Sequence, residues 1–126
     1  MTGARPRVLL VEDHALIRSR VTAILSPTCE IVGAVADGAS ALREIGILPP
    51  DIVVLDVSLP DMSGLDVARR ARDQLGGEPV KLIALTGFGQ QRDRESAAAA
   101  GFDHHLVKPL DFDTIETVLR GEAAVV

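Results

Sequence analysis

Three acidic residues of the sequence follow short apolar runs. Glu12 and Asp13 come directly after "RVLLV", and Asp56 ends "DIVVLD". A fold that brought these carboxylates together would have to offset a repulsion of roughly 3–4 kcal/mol per close pair at an effective dielectric near 20. Protonation through a raised pKa is one way, and a hard divalent cation such as Mg²⁺ is another. A carboxylate in such a place can also act as a nucleophile and accept a phosphoryl group.

Two further polar residues end apolar runs in the same way. "VKLIALT" ends in Thr86, a hydroxyl donor, and "HHLVK" ends in Lys108, a positive charge that could offset charge on transferring phosphoryl oxygens. Taken singly, each residue has a plainer role: Asp13 as a helix cap, Glu12 as a solvated acid, Lys108 as a surface residue and Thr86 as a strand residue. Taken together, the set predicts a site that handles phosphoryl groups.

The elements that would position these residues follow from the spacing of apolar residues. Five strands are predicted, over 7–13, 31–36, 51–56, 80–86 and 104–108. Helical stripes alternate with them: Leu16, Ile17, Val21, Ile24 and Leu25; Ala41, Leu42, Ile45 and Leu48; Val67, Ala68, Ala71 and Leu75; and Phe112, Ile115 and Leu119 after the last strand.

This alternation predicts an α/β fold, a flavodoxin-like doubly wound sheet of five parallel strands in the order 2-1-3-4-5, with five helices. In such folds the ligand lies at the carboxyl ends of the strands, beside the first and third. Local signals agree: Pro49 and Pro50 block a helix, Ser63 and Asp66 have the spacing of a capping box, and Gly101 follows a helical run.

Length and composition restrict the class of protein. The chain has 126 residues, which predicts one domain over 1–126 with a core of about 7–120. The net charge of −5 argues against nucleic-acid binding, and no apolar run approaches the roughly 18 residues of a membrane span. The single cysteine, Cys29, and the absence of a signal-peptide pattern in "MTGARPR" predict a cytoplasmic protein.

The sequence resembles the receiver domains of response regulators, the family of the bacterial chemotaxis regulator. The resemblance extends from Val8 to about Leu119 and rests on "VLLVEDH", "DIVVLDVSLPDMSGLD", "LIALTG" and "LVKPLD". It implies that Asp56 is the phosphoacceptor, with Thr86 as the switch hydroxyl and Lys108 as the family's lysine. It also implies that Mg²⁺ is bound by Glu12, Asp13, Asp56 and the backbone carbonyl of Ser58.

The resemblance implies partners as well. The phosphoryl donor would be a phosphohistidine on a histidine kinase or histidine phosphotransfer protein. From the movement expected of Thr86 and the loop after it, the downstream target, a protein, is predicted to contact the face formed by the fourth helix, fifth strand and fifth helix, including Arg94 and His105. Any enzymatic activity would be limited to Mg²⁺-dependent self-phosphorylation and autodephosphorylation. Pro109 is expected to follow a cis bond.

Three further points concern the switch and the organisation of the chain. His105 stands where the family often has Tyr or Phe, either as a residue without a role or as a pH-sensitive part of the switch. The loop from Gly87 to Gly89 is expected to move on activation. The chain could be a single-domain regulator or a receiver from a hybrid histidine kinase.

Other classes of protein fit the pattern less well. A flavodoxin-type electron carrier would need a phosphate loop after the first strand, where this chain has "EDHA". A haloacid-dehalogenase phosphatase would need a second Asp at the position of Ser58. A pseudo-receiver that only binds partners would usually lack part of the acidic set, which is complete here.

Overall fold

A computed structural model of the chain describes residues 5–87 and 98–108. Five parallel strands form one sheet in the order β2-β1-β3-β4-β5, as the sequence predicts. The strands are β1 (Arg7–Val11), β2 (Glu30–Val35), β3 (Ile52–Asp56), β4 (Lys81–Thr86) and β5 (His104–Val107). The order places the ends of β1 and β3 side by side, with Val11 opposite Leu55.

Three helices lie within the described part of the chain: α1 (Ala15–Leu25), α2 (Gly38–Ile47) and α3 (Gly64–Leu75). Residues 98–100 are also helical and end at Gly101, whose φ of 111° explains the glycine predicted there. The rest of the predicted fourth helix, the predicted last helix, Pro109 and Arg94 lie outside the described residues. In the segments that are described, no helix has the length and apolar character needed to cross a membrane.

Alternation along the strands produces two apolar layers, one on each face of the sheet. Leu9 and Val11 of β1 face a cluster that contains Ile45 of α2 and Val67 of α3. Val8 and Leu10 belong to the opposite cluster, with Val21 and Leu25 of α1. Because β3 and β4 are central, each of their apolar residues joins one of these layers, and all five residues of β3 are buried.

Two residues that the sequence assigns to apolar helical faces are exposed to solvent. Leu16 is 64% exposed, because successive helical residues lie about 100° apart and the face of α1 that packs on the sheet is formed by Ile17, Val21 and Leu25. Leu48 is 60% exposed, because α2 ends at Ile47 and Leu48 adopts an extended backbone as its C-cap. Pro49 and Pro50 follow this end, as the sequence predicts.

The capping box predicted at the start of α3 is only half formed. Ser63 is the N-cap, and its hydroxyl accepts a hydrogen bond from the Leu65 N–H at 3.1 Å. The carboxylate of Asp66 does not complete the box but pairs with Arg69 at 2.9 Å. A guanidinium one turn later offers this exposed acid a charged partner within its own helix.

Candidate functional site

Asp56 is the last residue of β3 and is 1% exposed. Its Oδ1 accepts a hydrogen bond from the backbone N–H of Ser58 at 2.9 Å, which fixes the orientation of the carboxylate. The backbone carbonyl of Asp56 also packs against the first residue of α3. A Cβ on Gly64 would lie 2.4 Å from that carbonyl oxygen, so only glycine allows the helix to start so close to the site.

The acidic pair after β1 meets Asp56 at the same edge of the sheet. One potential ligand atom from each of Glu12, Asp13, His14 and Asp56 lies within 4.8 Å of the others. The interpretation of Glu12 as a solvated acid is wrong, since the residue is 0% exposed. The interpretation of Asp13 as a helix cap is also wrong: the N-cap of α1 is His14, with no side-chain hydrogen bond to the helix.

Lys108 follows β5 and carries the positive charge of the site. Its Nζ lies 2.8 Å from Glu12 Oε1 and 3.1 Å from Asp56 Oδ2, so the ammonium bridges the two buried acids. A backbone hydrogen bond from Lys108 N–H to Thr86 O, at 2.8 Å, holds the lysine beside the end of β4. The three elements β1, β3 and β5 therefore supply one compact cluster of opposite charges.

This arrangement separates the pKa values of the two buried acids. Burial raises the pKa of Asp56 to about 6, helped by the hydrogen bond and charge of Glu12 and opposed by the Ser58 N–H and Lys108. Burial also acts on Glu12, but hydrogen bonds from Lys108 and the His14 N–H outweigh it, and the pKa of Glu12 is lowered. The pKa of Lys108 is raised, because its bond to Glu12 and the charge of Asp56 outweigh its desolvation. Near neutral pH, Asp56 is therefore a buried carboxylate that is mostly ionised yet close to titration.

The donor set fits a hard divalent cation. Three carboxylates converge, while a single ammonium neutralises only part of their charge. Oδ1 of Asp13 is buried and accepts no hydrogen bond from any residue in 5–87 or 98–108. A buried carboxylate oxygen without a donor is costly unless a cation approaches it.

Thr86 ends β4 and is 3% exposed. Its Oγ1 lies 2.7 Å from Nε2 of His105 and within 3.3 Å of the carbonyl of Leu106. The hydroxyl that the sequence assigns to the switch is thus engaged with β5. His105 is half-buried and contacts this hydroxyl. The sequence alone did not decide whether His105 is a residue without a role or a part of the switch.

The loop after Asp56 is tied to a second helix. Both oxygens of the Asp61 carboxylate accept hydrogen bonds at the start of α2, from Gly38 N–H at 2.8 Å and Ala39 N–H at 3.0 Å. These bonds lower the pKa of Asp61. They link α2 to the segment that carries Ser58, whose carbonyl is the fourth predicted metal ligand. The structure therefore positions every predicted site residue at or near one edge of the sheet.

Comparison with known proteins agrees with this geometry. A family model of the response regulator receiver domain matches residues 8–120. The chain belongs to the response regulator receiver domain family. The flavodoxin-type and dehalogenase-type alternatives therefore no longer apply.

Individual relatives show the same relationship. The two-component response regulator PhoP of Pseudomonas aeruginosa is 37% identical over 114 residues, which cover 90% of this chain and 50% of PhoP. The transcriptional regulatory protein CutR of Streptomyces coelicolor is 38% identical over 114 residues, which cover 90% of this chain and 52% of CutR. The receiver domain therefore spans about half the length of these curated relatives.

Solved receiver structures superimpose closely on the chain. The signal receiver domain of the putative response regulator NarL from Mycobacterium tuberculosis has a TM-score of 0.84 at 29% identity, covering 94% of this chain and 96% of that one. The receiver domain of sensor histidine kinase PA1611 from Pseudomonas aeruginosa PAO1 has a TM-score of 0.83 at 33% identity, covering 94% and 97%. That structure has a magnesium ion coordinated in its active-site cleft.

Three residues near the site were not singled out by the sequence. His14 lies against the acidic pair, Arg18 donates to the carbonyl of Glu12 at 2.8 Å, and Asp61 accepts from the first two N–H groups of α2. The position of His14 directly after "ED" is a signal that could have been used. Arg18 reaches the backbone carbonyl of Glu12 six residues earlier, and Asp61 reaches backbone N–H groups more than 20 residues away; apolar spacing identifies neither contact.

Proposed function

We propose that the chain accepts a phosphoryl group on the carboxylate of Asp56. The observation that carries this proposal is the buried Asp56 carboxylate, held between the Ser58 N–H and Lys108 with a pKa of about 6. At pH 7 such a group is about nine-tenths ionised, so the nucleophilic form predominates. Like the family it belongs to, the chain would take its phosphoryl group from a histidine kinase or histidine phosphotransfer protein.

The transfer balances without any further reactant. A carboxylate oxygen of Asp56 attacks phosphorus, a P–O bond forms, the P–N bond of the phosphohistidine breaks, and the imidazole leaves with the electron pair and takes up a proton from water. Lys108 Nζ, now 3.1 Å from Asp56 Oδ2, follows the new negative charge onto a phosphoryl oxygen. Glu12, Asp13, Asp56 and the Ser58 carbonyl would hold Mg²⁺, which supplies charge neutralisation when bound.

We also propose that Thr86 transmits the modification. To donate to a phosphoryl oxygen, its hydroxyl must turn its single proton away from the carbonyl of Leu106 on β5. That change alters the 2.7 Å contact with His105, and so the surface of β5. The target protein would then be selected through the face that includes β5 and the predicted helices beside it. Phosphorylation would shift an existing equilibrium rather than create a new state.

The same proposal covers the organisation of the chain. We infer a single receiver domain with a core of about 7–120, which acts in the cytoplasm, where its buried free cysteine, Cys29, stays reduced. Binding of a protein target rather than nucleic acid fits the net charge of −5.

Intact-mass measurement tests the chemistry. The protein is treated with acetyl phosphate in the presence and absence of Mg²⁺. The wild type should gain the mass of one phosphoryl group only with Mg²⁺, and Asp56→Asn should gain none. Asp66→Asn, which removes an exposed carboxylate of α3, is the matched control and should behave as the wild type. Equal incorporation by the wild type and Asp56→Asn would refute the proposal.

Amide chemical shifts test the route from the site. Beryllofluoride, a phosphoryl mimic, should shift the amides of residues 104–107 in the wild type, and Thr86→Ala should abolish these shifts while leaving those next to Asp56. Shifts confined to the neighbourhood of Asp56 in the wild type would exclude a route through β5. Shifts in β5 that survive Thr86→Ala would remove the hydroxyl from the mechanism.

A further inference from the structure

His14 places an imidazole against the acidic pair. Its ring Nδ1 lies 3.3 Å from Glu12 Oε2 and 3.4 Å from Asp13 Oδ1. Its backbone N–H donates to the same oxygen of Glu12 at 3.0 Å, so the turn before α1 folds the residue back over the acids. The side chain is 68% exposed and does not cap α1, so what holds the ring is its contact with the acids, a hydrogen bond to Glu12 Oε2 whose donor depends on the histidine tautomer.

The two distances match those between ligands that share one ion. Donor atoms at about 2.0–2.1 Å from a metal lie roughly 3.0–3.4 Å apart when they occupy adjacent positions of an octahedron or tetrahedron. Nδ1 of His14 has this separation from two carboxylates, and Asp13 Oδ1 is the buried oxygen that lacks a hydrogen-bond donor. With the ring proton on Nε2, the Nδ1 lone pair is free to join these oxygens on a cation.

We propose that His14 is a nitrogen ligand of this pocket, so that the pocket binds transition-metal dications such as Ni²⁺, Co²⁺ and Zn²⁺ more tightly than its carboxylates alone would. The inference rests on the proposed function, because it takes the acidic pocket as the metal site. Imidazole suits these ions, whereas Mg²⁺ is satisfied by carboxylates and water and gains little from a nitrogen ligand. His14 therefore shifts the preference of the pocket from Mg²⁺ towards these ions.

The same contact has an alternative explanation, in which His14 is itself a cation. A protonated His14 would be an ion-pair partner of Glu12 and Asp13 and would compete with every metal. The two roles predict different changes in metal affinity when the side chain of His14 is removed. Removing a ligand weakens transition-metal binding and leaves Mg²⁺ unchanged, whereas removing a competing cation strengthens the binding of all dications alike.

Calorimetric titration of the untagged protein with NiCl₂ and MgCl₂ distinguishes them. His14→Leu replaces the imidazole by an apolar side chain at an exposed position, so the variant should fold. We expect its affinity for Ni²⁺ to fall by about tenfold or more, since even a partner outside the first shell is worth 10–100-fold in affinity, and its affinity for Mg²⁺ to change by less than about twofold. His104→Leu, which removes a histidine outside the cluster, controls for non-specific binding and should match the wild type.

A second measurement reads the ligand directly. Titration with diamagnetic Zn²⁺ should shift the ring resonances of His14 in step with metal binding, and those of His104 should stay in place. Unchanged Ni²⁺ affinity in His14→Leu, or a gain for Ni²⁺ and Mg²⁺ together, would overturn the inference. A wild type that binds no Mg²⁺ would instead refute the proposed metal site itself, so the two failures are distinguishable.

Discussion

Replacement of Asp56 by Asn should stabilise the folded protein at neutral pH. The carboxylate of Asp56 is buried beside Glu12, and the charge of Lys108 is shared between the two acids. Asn has nearly the same shape and can still accept the hydrogen bond from Ser58, but it has no charge to bury. Its amide group would replace Oδ2 beside Lys108, whose ammonium keeps its shorter contact with Glu12 at 2.8 Å. The site would thus lose its phosphoryl acceptor while the folded protein became more stable, as expected where function requires a group that destabilises the fold.

The size of the effect follows from the raised pKa. A rise from 3.8 to about 6 means that the folded state holds a proton on Asp56 that the unfolded state has already released. Stability therefore falls as pH rises through this window, and the loss reaches roughly 3 kcal/mol above it. The stability difference between Asp56→Asn and the wild type should accordingly grow by roughly 2 kcal/mol between about pH 4.5 and about pH 7.5.

Urea unfolding of both proteins at several pH values, with chelator present, measures this difference. Asp61→Asn is a control for which the opposite effect on stability is expected. Hydrogen bonds from Gly38 and Ala39 lower the pKa of Asp61, so its contribution is present at neutral pH and is lost as pH falls. That variant should be less stable than the wild type at neutral pH. A gap between Asp56→Asn and the wild type that does not change with pH, or that narrows as pH rises, would refute the electrostatic account of the site.

Three further predictions concern the same edge of the sheet. Mg²⁺ at about 100 times its dissociation constant should raise the free energy of unfolding by roughly 2.7 kcal/mol, and Asp13→Asn should lose most of this gain in the same urea titration. Thr86→Val should cost about 1 kcal/mol by removing the hydroxyl that contacts His105, and an unchanged stability would mean that the contact contributes nothing. Gly64→Ala should cost about 1–3 kcal/mol because its Cβ would meet the Asp56 carbonyl, so a wild-type melting temperature would contradict the close approach.

The sheet and the placement of the acids could be predicted because they depend on periodicity. The uninterrupted apolar run before Asp56 indicates a strand buried on both faces, and β3 is buried throughout. Once β1 and β3 are neighbours, Glu12, Asp13 and Asp56 must converge at their carboxyl ends. Lys108 and Thr86 follow from the same rule applied to β5 and β4.

Side-chain contacts across the sheet could not be predicted in this way. Spacing along the chain does not show that Lys108 bridges two acids or that His105 reaches Thr86, since these contacts depend on rotamers and on the register between strands. The exposure of Leu48 was not predicted either, because helical periodicity does not indicate at which residue a helix ends.

Locating the phosphoryl group tests the central claim most directly. After treatment with acetyl phosphate and Mg²⁺, borohydride reduces an aspartyl phosphate to homoserine, and tandem mass spectrometry of the peptides then identifies the modified residue. The account predicts homoserine at residue 56 and at no other position. Reduction at Asp13 or Glu12 instead, or a borohydride-resistant phosphate on Ser58 or Thr86, would contradict it.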